Sequence, residues 1–255
     1  YSQAPFQNMK KFPLFLICAL LCACAARHTA PVAEDPAEVW KAMASAPSIS
    51  GPERASLSMR LGEEGDTRRV TAILWGNDPE QLRMDVMAGA GAIVAMIYDG
   101  PGEFLLYTPG DNRAYIHKGA VKPLLRVGSP LPFPLARLAD LLSGRYIPAF
   151  GASYESAKIV GSDAVFTLPD QATLTVDGAG RPATWTQGGG GWKMTLAYGE
   201  DDLPKSIKFD NADGKMAVLL IKERETLPTS FDPDQMTLKL PPGTETLPLS
   251  QYGKS

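Results

Sequence analysis

All three cysteines of this 255-residue chain, Cys18, Cys22 and Cys24, stand within its first 24 positions, so the long remainder carries none. That excludes a disulfide, a thiolate nucleophile and a cysteine metal site from the folded part. Histidine is almost as scarce: His28 and His117 are the two in the chain. His28 sits in an unpatterned stretch. His117 ends a strand-like run with no nucleophile motif beside it, and reads as a surface histidine. No Gly-x-Ser-x-Gly elbow occurs, so the usual seat of a hydrolase serine is missing. Asp201-Asp202, ahead of Leu203-Pro204, reads as a solvated turn rather than a catalytic pair. Asp177-Gly178-Ala179-Gly180 and Asp210 to Gly214 lack the ligand spacing of a calcium loop. Gly188 to Gly191 lacks the strand-then-helix setting of a phosphate cradle. The chain is expected to be no enzyme and to need no cofactor or metal. A basic stripe is missing too: 25 Lys and Arg face 28 Asp and Glu, for a formal charge of −3. Nucleic acid is therefore not the expected partner.

What is present begins with Met9-Lys10-Lys11, a positive start to the apolar run from Phe12 to Leu21. About 13 apolar residues span only ~20 Å as a helix, short of a bilayer core of ~30 Å, so a cleaved signal fits better than a membrane span. Tyr1 to Asn8 read as an upstream extension. The ending Leu21-Cys22-Ala23-Cys24 resembles the bacterial lipobox, in which the last cysteine becomes the acylated first residue. The resemblance implies removal of residues 1–23 and a membrane anchor on Cys24. Two or more acyl chains would hold the protein stably, since each buried methylene contributes about 0.8 kcal/mol. Ala25, not aspartate, follows the cysteine, which by the sorting pattern of such lipoproteins favours the periplasmic face of the outer membrane. Residues 24–35 then read as a tether.

A single domain is expected from 36 to 255. Asp35 and Pro36 suit the N-cap and first position of a helix carrying Val39, Trp40 and Met43 on one side. β patterns follow. Ser56 to Leu61 alternates strictly and pairs through Glu63 to Asp66 with Arg69 to Trp75. Leu82, Met84 and Val86 alternate with Arg83 and Asp85, which places the first three inside and the charges outside. Ile93 to Tyr98, Phe104 to Tyr107 and Arg113 to His117 continue the meander. The second half repeats the pattern from Ser156 to Leu227. There Ile207 and Phe209 face inward, with Lys208 and Asp210 outward. Met236 to Leu240 reads as a last short strand, stopped by Pro241-Pro242-Gly243.

The centre differs. Val121 to Tyr154 is apolar and proline-broken, with Leu135, Leu138, Leu141 and Leu142 at helical spacing and Gly144 closing the element. Leu124, Leu125, Leu131, Phe133 and Phe150 add to it. Such an insert in a β protein is either a lid over a cavity or a cap on a barrel's end.

The order of parts resembles the lipoprotein-carrier superfamily of LolA and LolB. Met84 to Val94 is similar to the strand–loop–strand around the LolB Pro-Leu-Gly turn. Leu138-Ala139-Asp140-Leu141-Leu142-Ser143-Gly144 resembles the family's Leu-Leu-x-Gly helix end. Phe231 and Leu238 to Gly243 resemble its closing Phe…Leu-x-Leu-Pro-x-Gly. The resemblance implies a mainly β fold with helices: a half-open antiparallel β-barrel of about eleven strands, a strongly curved sheet plugged by the N-terminal helix and the central Leu-rich lid helix. Its apolar interior would take lipid or lipoprotein acyl chains, with Leu82, Met84, Val86, Leu135, Leu138, Leu142, Ile207 and Phe209 as lining. Ala90 stands where LolB projects a leucine used in handing lipoprotein to the membrane, so LolB-type insertion does not carry over. The competing function is a structural or adaptor lipoprotein of an envelope assembly, with a filled core, no ligand and protein partners. A hydrolase is third. A large cavity beside the central segment favours the first reading, and a filled interior the second.

Overall fold

The computed structural model describes residues 32–119, 124 and 131–253. The lipobox, the tether up to residue 31, Leu125 and most of the 121–130 stretch lie outside the described residues. Two meanders make up most of the rest. The first comprises β1 (Glu53–Glu63), β2 (Asp66–Asp78), β3 (Gln81–Ala88), β4 (Ala92–Gly100), β5 (Glu103–Thr108) and β6 (Arg113–Lys118). The second comprises β7 (Ser156–Val160), β8 (Asp163–Thr167), β9 (Thr173–Val176), β10 (Pro182–Thr186), β11 (Trp192–Tyr198), β12 (Pro204–Asn211) and β13 (Lys215–Thr226). They meet where β1 pairs antiparallel with β13, from Glu53 opposite Thr226 to Glu63 opposite Lys215. A bulge at Ser56/Leu57 bends this central ladder.

The result is one 14-stranded sheet ending at β7 on one side and at β14 (Glu245–Pro248) on the other. Its two edges do not pair, so the sheet is open. It curls enough for the inner faces of both meanders to share one core, from Leu57, Leu74 and Leu106 to Phe166, Leu174 and Leu219. Mainly β with few helices, open and curved is as expected. Fourteen strands, however, exceed the expected eleven or so.

Two corrections concern the C-terminus. Met236 to Leu240 forms no strand. A capping box between Asp232 and Gln235 winds Pro233–Met236 into a single helical turn, α4. Leu238 and Leu240 then pack on the outer face of β4–β6, against Leu105, Tyr107 and Ala114. The final strand is β14, which runs parallel to β6, the one departure from antiparallel pairing among the described residues. Because this segment covers the outer face, Arg83 and Asp85 lie outside as alternation requires but are not solvated: their side chains are only 14% and 15% exposed.

Three further helices sit on the inner side. Helix α1 (Pro36–Ala44) starts as its sequence predicts, with Asp35 Oδ1 accepting from the Ala37 amide at 2.9 Å. It buries Val39 and Met43, and sets Trp40 edge-on to Tyr154 and Phe166. Gly180, in the β9–β10 turn at φ +83°, lets that turn close on it: a Cβ there would stand 2.6 Å from the Met43 amide. Helix α2 is Leu135–Leu142, and α3 is Tyr146–Phe150. Sequence periodicity showed no sign of α3, a five-residue turn that contains Pro148.

Candidate functional site: the plugged concave face

Helix α2 lies in the hollow of the sheet because its own pattern leaves no other solution. Leu135, Leu138, Ala139, Leu141 and Leu142 are all buried, leaving Ala136 and Arg137 facing out. Just ahead of it, Phe133 enters edge-on between Trp185, with ring centres 4.7 Å apart, and Phe209, at 5.5 Å. The Arg137 guanidinium closes over Phe133 from outside at 4.3 Å, and its Nε donates to the Ala149 carbonyl.

The two ends of α2 are held differently. The N-terminal end follows Pro134 and has no side-chain cap. The C-terminal end is clamped. Gly144 at φ +74° turns the chain so tightly that a Cβ there would lie 2.7 Å from the Pro47 carbonyl. Arg145 then reaches Asp140 at 2.8 Å and Glu53 at 2.9 Å, and donates to the Ile49 carbonyl at 2.8 Å. Ser143 donates to the same Glu53. Arg224 donates from Nε to the Leu142 carbonyl at 3.0 Å. Burial pushes the Asp140 carboxyl above its ordinary range, against the pull of Arg145. For Arg145 burial acts downward, but the hydrogen bond to Asp140 and the charge of Glu53 outweigh it and hold the guanidinium protonated. A half-buried network of this kind costs more to break at one partner than it contributes as a whole. It fixes the C-terminal end of α2 to β1 and β13.

Space beneath α2 is slight. The cavity between Leu74, Leu82, Ala139 and Leu142 measures about 10 Å³, room for one water at most. At this end of α2 there is no room for an acyl chain beside Ala139 and Leu142.

Sequence-predicted residues fall as follows. Leu82, Met84, Ile207 and Phe209 are buried on the inner face, and Val86 is half-buried beside them. Leu135, Leu138 and Leu142 occupy the hollow itself. Ala90 is exposed at the tip of the β3–β4 hairpin, away from this group. Cys24 lies outside the described residues. His117 corrects an expectation: it is half-buried, and its Nε2 is buried without a hydrogen-bond partner among the described residues. It stands opposite Phe104, as does Asp99 on the other side, so both face inward. Burial raises the Asp99 carboxyl to about 6. Sequence reasoning missed the clamp as well. Its one local signal is Asp140, an acid inside the run Leu138-Ala139-Asp140-Leu141-Leu142.

An open, curved antiparallel sheet with short helices on its inner side defines the LolA-like fold class. A LolA superfamily protein from Nitrosomonas europaea superposes with a TM-score of 0.56 at 10% identity, over 81% of this chain and 99% of that one. A DUF1329 family protein from Desulfovibrio piger gives 0.51 at 9% identity, over 80% and 100%. A putative outer membrane lipoprotein-sorting protein domain from Vibrio parahaemolyticus gives 0.47 at 13%, over 79% and 94%. No family model and no curated protein matches the sequence. At these identities the likeness is one of fold.

Proposed function

We propose that the chain is a lipid-handling protein of the bacterial envelope, anchored to the outer membrane through acylated Cys24, and that it binds acyl chains rather than catalysing a reaction. The observation that carries this reading is the character of α2. It lays a continuous aliphatic surface along the hollow, held at its C-terminal end by Arg145 and uncapped at the other. Such a plug is an intramolecular stand-in for an acyl chain. Pivoting about the clamp exchanges leucine contacts for methylene contacts of about 0.8 kcal/mol each. The LolA-like fold supports the reading in general, and Ala90 in place of a bulky hairpin side chain points away from LolB-type insertion.

The slight space beneath the C-terminal half of α2 favours a second reading, an adaptor lipoprotein of an envelope assembly that binds proteins and no lipid. Expression of Cys24→Ser in a bacterial envelope separates the two. The variant is expected in the soluble periplasmic fraction, and native mass spectra of it should retain a co-purified acyl lipid. A lipid-free mass, unchanged after incubation with phospholipid, would move the assignment to the adaptor.

A further inference from the structure

The outer face of the sheet carries a second hollow, which shares Arg54 and Trp75 with the small cavity beside Leu74 and Leu142. Ile73 and Trp75 of β2, Met87 of β3, Ile93 of β4 and Phe231 of the C-terminal segment enclose an open-sided groove of about 500 Å³. That volume lies within the range of small-molecule sites, and its walls have the usual apolar character. Its floor is the Arg83–Asp85 pair, 3.2 Å apart. Arg83 is fully committed. It also donates to the Gln235 carbonyl at 3.0 Å, and its guanidinium lies 5.1 Å from the centre of the Trp75 ring. The pair is therefore neutral and fixed.

One charge in the groove is left over. Arg54 lines the same hollow, is exposed, and makes no ion pair among the described residues. Its register partner across the central ladder, Glu225, does not line the groove. The ladders put Arg54, Trp75 and Arg83 in one row. Met87 and Ile93 form another row, four residues or about 13 Å further along β3. The groove is thus positive at one end and apolar at the other.

We propose that this groove binds a single-chain amphiphile with an acidic head, the head at Arg54 and the tail running towards Met87 and Ile93. Carboxylate and phosphate heads share the required chemistry. Binding in this groove does not depend on α2 moving.

The test is methyl NMR on the full chain bearing Cys24→Ser, titrated below the micelle concentration with dodecanoate, dodecyl phosphate or dodecyltrimethylammonium. An anionic probe is expected to shift the Ile73, Met87 and Ile93 methyls, whether or not Leu138 and Leu142 also respond through the interior. Which anion binds tighter identifies the head group. The cation should bind at least tenfold more weakly, and Arg54→Glu should weaken the anion by a similar factor. Equal binding of anion and cation, insensitivity to Arg54→Glu, absence of any shift, or a response confined to Leu138 and Leu142 would each overturn the proposal.

Discussion

Strand β5 carries Phe104-Leu105-Leu106-Tyr107 without a polar break, while β12 sets Lys205 and Lys208 between buried positions at Pro204, Ile207 and Phe209. The contrast extends across the two meanders. In β4–β6 of the first, both faces are used: Phe104 and Leu106 join the main core, and Leu105 and Tyr107 join a smaller one under Leu238. In the second, β11 and β12 bury one face and leave Lys193, Thr195 and Lys208 in solvent. A strand that alternates has one wet face, and a strand that does not alternate is covered twice. The C-terminal segment supplies that second cover. It also makes the outer-face groove and keeps Arg83 and Asp85 half-buried.

The largest effect should come from the shared core. Phe209→Ala removes a fully buried ring that packs against Phe133, and should cost about 3–5 kcal/mol in chemical denaturation. A value near 1 kcal/mol would mean that the second meander is loosely packed. Next is the cover itself. Leu238→Ala should cost about 2 kcal/mol and raise the binding of a hydrophobic dye as Leu105 and Tyr107 open. Lys208→Ala, on the bare face of the second meander, should stay within about 0.5 kcal/mol, since its pairing with Asp210 is solvent-exposed. Equal costs for the two would erase the distinction between the halves.

Asp99 gives an effect with a defined sign. Its carboxyl titrates at about 6 in the fold instead of 3.8, because burial between Leu82 and Phe104 disfavours the charge. The folded state therefore binds the proton more tightly than the unfolded chain does. Stability from this group is fully present below about pH 4 and is lost as pH rises through 6. Asp99→Asn should raise stability at pH 7 by up to about 2 kcal/mol, allowing for residual exposure, and should leave it nearly unchanged at pH 4. Thermal melts at the two values measure this, and a gain confined to pH 4 would reverse the assignment.

Alternation made the inner faces of β3 and β12 legible, and the Asp35-Pro36 start of α1 was legible because capping is local. The Leu-rich helix and its closing Gly144 could be read for the same reason. What the sequence hid was long-range. Leu238 and Leu240 alternate like a strand, yet their partners are the outer side chains of β4–β6, and the real edge strand is the four-residue β14. The clamp joins Glu53 to Arg145 across the whole first meander and α2, and no spacing rule links residues that far apart. His117 looked exposed because nothing local reveals which face of an edge-proximal strand the sheet curls towards.

Amide hydrogen exchange over Leu135–Leu142, with and without added phospholipid, tests most directly whether α2 is a displaceable plug. Lids are drawn from the less stable parts of a fold. Faster exchange is expected in α2 than in β1, β12 and β13, with a further change in α2 when lipid is added and the strands unmoved. Exchange as slow as in those strands and indifferent to lipid would contradict it, and would leave α2 as a permanent part of the core.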